Sequence, residues 1–173
     1  MSNFKEKLAN VRAFVFDIDG VLSLQTISLN SFGVPNRTVN LRDGYALQLA
    51  VKKGYRVAVI SGSNSKEYIR RLKTLGITDI WLNSKSKLDH FRVFMKKYGF
   101  REDEVIYMGD DIPDIEIMRQ SVVAVCPYDA DSEIKQVSCY ISDKKGGEGC
   151  VRDVIEQVLR LQNKWMDTEA FAW

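Results

Sequence analysis

Aspartates recur in this sequence where an apolar run ends. Val11 to Phe16 is apolar apart from Arg12, and Asp17-Ile18-Asp19-Gly20 follows it. Val105 to Met108 is apolar, and Gly109-Asp110-Asp111 follows, with Asp114 four residues past Asp110. Tyr55 to Ile60 leads into Ser61-Gly62, and Lys87 begins the amphipathic stretch after Ile77 to Leu82. Carboxylates gathered in one place repel one another unless a cation joins them. Hard oxygen donors without a nearby His or Cys favour Mg²⁺ over zinc or copper. A hydroxyl, backbone N–H groups near a helix start and a lysine suit a phosphate group. With no Ser–His pair and no activated Cys, the nucleophile of such a set is an aspartate and the intermediate an aspartyl-phosphate. Residues two apart on an extended strand point to the same side. Asp17 can then attack phosphorus while Asp19 stands near the leaving oxygen, as acid first and base later. Gly20 lets the backbone turn out of the strand. Taken singly, each signal has a plainer reading. Ser61-Gly62 is a turn, Lys87 a surface lysine, and Asp110-Asp111 a cap for a helix opening at Pro113. A calcium loop does not fit, because Val21-Leu22 follow where further oxygen ligands are needed.

These residues converge only if the elements before them lie side by side. Short β-rich runs alternate with amphipathic stretches, which predicts βαβ units and an α/β, doubly wound parallel sheet. Helices are expected over about 43–53 with Asp43 as N-cap, from an Asn64/Glu67 capping box to Gly76, over 87–98 and from Pro113 to about Gln120. Strands are expected at 122–126 and 139–142, with a short helix at 131–137 between them. Gly146-Gly147-Glu148-Gly149 leads into a last helix over about 150–162. In such sheets the ligand sits at the carboxyl ends of the strands, where the acids, Ser61 and Lys87 stand. One segment breaks the alternation. Residues 24–41 hold two β-prone runs around Asn30-Ser31-Phe32-Gly33 and Pro35-Asn36, read as a β-hairpin inserted after the first strand. The tail 163–173 carries Trp165, Phe171 and Trp173. It packs either on its own domain or on a neighbour.

The chain has 173 residues, a length suited to one domain, 1–173. Its 25 Lys plus Arg and 23 Asp plus Glu leave a formal charge of +2, and no basic stripe interleaved with aromatics exists, which argues against a nucleic-acid partner. Cys126, Cys139 and Cys150 form neither a C-x-x-C nor an even set, so neither zinc nor a disulfide framework is expected. No apolar run approaches the ~20 residues of a membrane span, and the first residues lack an apolar leader core. A cytoplasmic protein is expected. His90 falls on a helix surface and is given no role.

With these residues in place, the chain resembles the haloacid dehalogenase superfamily of phosphohydrolases. Asp17-Ile18-Asp19-Gly20-Val21, Ser61-Gly62, Lys87 and Gly109 to Asp114 match its four motifs across nearly the whole chain. A chain with only a hairpin after the first motif looks like the small-cap branch, whose members form tetramers. Asn40-Leu41-Arg42-Asp43-Gly44-Tyr45 and the loop 146–149 followed by Val151-Arg152 are similar to segments of 3-deoxy-D-manno-octulosonate 8-phosphate phosphatases. Those enzymes dephosphorylate an eight-carbon acidic sugar during lipopolysaccharide synthesis, so a bacterium with an outer membrane is implied. The resemblance implies Asp17 as nucleophile and Mg²⁺ ligand, and Asp19 as acid/base with its backbone carbonyl on the metal. It implies Asp110 as a further ligand, Asp111 and Asp114 as auxiliary acids, and Ser61, Gly62 and Lys87 as phosphate holders. Asn40, Leu41, Arg42, Asp43, Gly44 and Arg71 match positions that contact the sugar acid. Two departures stand out: Ser63 and Gln48 occupy places where many members carry arginine. A small-cap enzyme has no lid of its own, so a homotetramer is expected in which a neighbour covers the site. Two other readings remain: a phosphatase for a nine-carbon sialic-acid-type or other sugar phosphate, and a non-enzymatic phospho-acceptor module. The latter places its acidic pair early, whereas here D-x-D comes first and the D-D pair fourth.

Overall fold

The computed structural model describes residues 4–120 and 123–171. Six strands form one parallel sheet in the order β3-β2-β1-β4-β5-β6. They are β1 Ala13–Phe16, β2 Arg56–Ile60, β3 Asp79–Trp81, β4 Val105–Met108, β5 Val123–Cys126 and β6 Tyr140–Ile141. The helices are α1 Phe4–Lys7, α2 Leu41–Lys52, α3 Lys66–Thr74, α4 Lys87–Tyr98, α5 Ile115–Gln120, α6 Ser132–Val137 and α7 Cys150–Leu161. Val122, expected to open β5, lies outside the described residues.

Side chains alternate across β1, so the sheet separates two cores. Phe14 and Phe16 face α2, α3 and α7 through Leu47, Leu72 and Val154. Ala13 and Val15 face α4 and α5 through Phe91, Phe94 and Ile117. Both faces are covered, which is why the central strands read as unbroken apolar runs. The register pairs Phe16 with Val59 on one side and with Met108 on the other. Asp17 therefore leaves the sheet between Ser61 and Gly109-Asp110.

The helix caps shift from the expected residues. Asn40 caps α2, its side chain accepting from the N–H groups of Arg42 and Asp43, while Asp43 lies buried in the first turn. Ser65, not Asn64, caps α3 by accepting from the Tyr68 N–H. In both places two capping residues stand close in sequence, and packing chooses between them. The expected stop at Gly99 is found, with φ at +65°.

Residues 24–40 double back, but regular pairing is limited to one antiparallel bridge, Leu29 with Pro35. The Asn30 side chain accepts from the N–H groups of Phe32 and Val34, and Pro35 offers no N–H. Beside the bridge, the Asn30 N–H donates to the Val34 carbonyl and the Asn36 N–H to the Ser28 carbonyl, so the backbone pairing is short and local side-chain bonds hold its tip. In the tail, Trp165 is buried against Tyr45, with the Arg152 and Arg160 guanidiniums over its ring. Lys53 pairs with Asp167 and Glu169. That much of the tail packs on its own domain. Phe171 is exposed, and Trp173 lies outside the described residues.

Candidate active site

The strand ends meet at an open pocket of about 1220 Å³ lined by Asp17, Asp19, Ser61, Gly62, Lys87 and Asp110 among others. Lys87, at the start of α4, is only 8% exposed and lies beneath the acids. Its Nζ is 2.6 Å from Asp17 Oδ2 and 2.8 Å from Asp114 Oδ1. Asp17 Oδ1 accepts from the Ile18 N–H at 2.6 Å. Asp114 is wholly buried: it also accepts from the Tyr107 hydroxyl and from the Asp110 N–H at 3.2 Å. It braces the turn that carries Asp110, a larger part than its outlying position in sequence suggests. Asp111 caps that turn, its Oδ1 accepting from the Ile112 N–H at 2.8 Å, and its side chain is exposed.

Two glycines allow this crowding. Gly20 has φ at +77°, and a Cβ there would stand 1.9 Å from Asp110 Oδ2. A Cβ on Gly146 would stand 1.9 Å from the Gly20 carbonyl oxygen, and the Gly147 N–H donates to the Val21 carbonyl at 2.8 Å. The glycine loop before α7 is a backbone buttress behind the D-x-D-G turn.

The electrostatics are those of a site built for a cation. Burial, then the neighbouring Asp114, push Asp17 up to about 6 against the pull of Lys87. Burial pushes Asp110 up to about 7, opposed by a hydrogen bond from Gln25 and reinforced by Asp17 and Asp114. Burial also works against the Lys87 ammonium, but Asp114 and Asp17 outweigh it and its pKa is raised. Oxygen atoms of Asp17, Asp110 and Asp114 all lie within 4.8 Å of one another. No His or Cys joins that group, and Asp114, wholly buried and bound by both Lys87 and Tyr107, does not line the pocket as Asp17 and Asp110 do. Asp17 and Asp110 remain as the pair able to hold a hard divalent cation.

Ser61 is buried at the end of β2, its Oγ accepting from the Ser63 N–H at 3.2 Å. Gly62 and Ser63 are on the pocket wall. His90 hydrogen-bonds Ser84 at 2.8 Å and stacks on Trp81, one layer behind that wall. The residues matched to sugar contacts lie elsewhere in the single chain. Leu41 and Arg42 face a groove shared with Lys144 and Glu148. Asn40 borders that groove as well, donating from Nδ2 to the Gly147 carbonyl at 3.0 Å. Asn40, Asp43, Gly44 and Arg71 surround a cavity of about 20 Å³. There Asp43 Oδ1 accepts from the Arg152 N–H at 2.7 Å, while Asp43 Oδ2 and Arg71 Nε have no hydrogen-bond partner among the described residues. None of the six lines the pocket of Asp17. Two residues the motifs did not indicate do reach the acids: Gln25 Nε2 donates to Asp110 Oδ2 at 3.1 Å, and Arg37 forms a fork on Asp19.

Comparison with known proteins gives this geometry its family. The model of the haloacid dehalogenase-like hydrolases matches residues 38–121. The 3-deoxy-D-manno-octulosonate 8-phosphate phosphatase KdsC of Yersinia pestis is 31% identical over 159 residues, 92% of this chain and 85% of the relative. The chain belongs to the haloacid dehalogenase-like hydrolases. The KdsC protein of Escherichia coli K12 is 33% identical over 158 residues, 91% of this chain and 84% of the relative. Among solved structures, the Yersinia pestis phosphatase superposes with a TM-score of 0.90 at 31% identity, covering 94% of this chain and 88% of that one. The Moraxella catarrhalis phosphatase, solved with magnesium, phosphate and a KDO molecule, gives 0.88 at 34% identity, covering 94% of each chain. In this chain the acids and Lys87 stand at the carboxyl edge of the parallel sheet. Among the described residues no helix is long and apolar enough to cross a membrane.

Proposed function

We propose that this protein is a Mg²⁺-dependent phosphomonoesterase acting through an aspartyl-phosphate, with 3-deoxy-D-manno-octulosonate 8-phosphate as substrate. One observation carries the chemistry: Lys87 is buried between Asp17 and Asp114 directly below an open pocket, with Asp110 at the end of the next strand. The names of the relatives support the substrate.

Asp17, Asp110 and the Asp19 backbone carbonyl would hold Mg²⁺. When bound, the ion offsets charge on the phosphoryl group and on the acids around it. The chain's own residues do the rest. Lys87 orients the Asp17 carboxylate and balances its charge while a phosphate dianion approaches. Ser61 and the N–H groups of the Gly62 turn hold phosphate oxygens. Asp17 attacks phosphorus, and the leaving sugar oxygen takes a proton from Asp19. Asp19 then accepts a proton from the water that hydrolyses the aspartyl-phosphate, regenerating Asp17. Asp111 and Asp114 shape the turn rather than react.

The sugar acid is recognised in an assembly. The pocket is open, and the insertion exposes Leu29, Phe32 and Val34. Such a tip is suited to cover a neighbour's site in a cytoplasmic homotetramer. The residues Asn40 to Gly44 and Arg71, remote from their own pocket, would then serve at or near that boundary. Light scattering after size exclusion checks this: a monomer at assay concentration defeats it.

Ser63, on the pocket wall where many members carry arginine, leaves fewer cations for the sugar acid, so a nine-carbon sialic-acid-type or other sugar phosphate is kept as a second reading. Phosphate release is therefore measured, with and without Mg²⁺, from the eight-carbon sugar phosphate, its nine-carbon analogue and an aryl phosphate. Preference for the eight-carbon acid is expected. Preference for the nine-carbon acid moves the substrate, equal weak rates leave only the hydrolytic chemistry, and no turnover of any defeats the enzyme reading.

A further inference from the structure

The insertion is exposed along most of its length, yet its single charged side chain is not. Arg37 has a side chain only 9% exposed. Its Nε is 2.7 Å from Asp19 Oδ1 and its Nη2 is 2.8 Å from Asp19 Oδ2, a two-pronged fork. Such pairs are short and directional, and lysine cannot reproduce them. Asp19 lines the catalytic pocket and Arg37 does not, so the guanidinium grips the carboxylate from the side away from the substrate.

The backbone that carries Arg37 is clasped in place. The Thr38 N–H donates to Ser23 Oγ at 2.9 Å, the Leu24 N–H donates to Thr38 Oγ1 at 3.0 Å, and the two hydroxyls are 3.2 Å apart. Ser23 is wholly buried and pairs in a bridge with Asp19 itself. Immobilising an arginine on an exposed loop costs rotamer entropy. Here the side chain is held at both ends, and the carboxylate it holds faces the pocket.

We propose that Arg37 is a positioning residue that fixes Asp19 as the proton acceptor of the second half-reaction, an inference resting on the phosphatase reading above. In that step an O–H bond of water breaks and its proton goes to the Asp19 carboxylate. The water oxygen bonds to phosphorus, and the P–O bond to Asp17 breaks with its electron pair returning to Asp17. Inorganic phosphate leaves. A fork of two N–H donors fixes the plane and position of that carboxylate. The first half-reaction depends less on Asp19 when the leaving group departs without a proton, so an activated aryl phosphate separates the two halves.

The experiment is rapid-quench turnover of 2,4-dinitrophenyl phosphate at saturating Mg²⁺ by wild type, Arg37→Met, Arg37→Gln and Arg37→Lys. In Arg37→Met a burst of released phenolate near one per site is expected, followed by a steady-state rate reduced roughly tenfold to a hundredfold. KM is expected to fall or stay level, and Arg37→Lys to recover part of the rate. Arg37→Gln, which is uncharged and shorter but keeps one polar amide donor group in the partly buried site, carries the test if Arg37→Met fails to fold, and the same burst and slow steady state are expected of it. A folded Met or Gln variant with the wild-type steady-state rate overturns the inference alone. So does a slowing of the burst in equal proportion with a raised KM, which marks a role in substrate binding. A wild type that releases no phenolate under these conditions overturns the phosphatase reading and the inference with it.

Discussion

On the sheet side of the pocket, Asp17, Lys87, Asp110 and Asp114 are each less than a tenth exposed and bonded to one another or to strand-end backbone. On the opposite side, residues 24–40 hold one bridge, and Leu29, Phe32 and Val34 face solvent. One wall is fixed by the register of central strands. The other is fixed by single side chains: Thr38 on Ser23, Arg37 on Asp19, Gln25 on Asp110. The difference separates two tasks. Attack on phosphorus needs atoms held in place by the core, whereas choosing a leaving group can rest on a segment free to vary. Substitutions on the first wall should therefore act on chemistry and stability together, and those on the second on proton transfer, recognition or assembly with little effect on the fold.

The comparison breaks most visibly if the nucleophile can be replaced. Asp17→Asn is expected to lower kcat by roughly four orders of magnitude or more without lowering Tm. Retained phosphate release refutes Asp17 as nucleophile. Lys87→Met leaves two buried carboxylates without their cation. A loss of roughly 3–5 kcal/mol in urea unfolding at pH 7 is expected, together with a large fall in kcat. A variant as stable as wild type shows that the rigid wall does not rest on this lysine.

Asp43 stands where the insertion rejoins the core and sharpens the contrast through pH. Burial raises it from 3.8 to about 6 in the fold, so the folded state holds that proton more tightly than the unfolded chain. The associated cost is absent below about pH 4, grows as pH rises through 6, and levels near about 3 kcal/mol. Relative to Asp43→Asn, wild type is expected to lose stability by up to that amount between pH 4 and 7. Parallel stability curves for the two proteins contradict this. The smallest effect belongs to the second wall: Phe32→Ser is expected to change subunit stability by no more than about 0.5 kcal/mol while lowering the mass seen by light scattering. An unchanged mass places the interface elsewhere.

What the sequence revealed follows the same division. Parallel strands buried on both faces read as continuous apolar runs, so β1, β2, β4 and β5 and the acids at their ends could be found without a structure. Short-range choices were less visible. Asn40 takes the cap expected of Asp43 because Asp43 is drawn inward to the Arg152 N–H. Ser65 displaces its neighbour Asn64. Pairing in the expected hairpin is limited to a few residues around Leu29 and Pro35, with the Asn30 side chain taking the Phe32 and Val34 N–H groups at the tip. Asp114 seemed peripheral, although it is the hub joining Lys87, Tyr107 and the Asp110 turn. Arg37 offered no pattern at all, because its partner is 18 residues away in an element of another kind. Nothing in a single sequence signals such a pair; a lone cation in a polar insertion reads as surface.

The buttress of Gly146 and Gly147 against the D-x-D-G turn has a consequence for the order in which the molecule is made. The turn emerges from the ribosome well before the loop that supports it, and the Cys150 thiol that bonds to the Val21 carbonyl lies 129 positions later. A nascent chain can hold its first strand, and even pair it with β2, long before Gly20 has anything behind it. Catalytic competence should therefore arrive only once the glycine loop and α7 are in place, and a chain arrested before α7 would carry every motif acid yet remain inert.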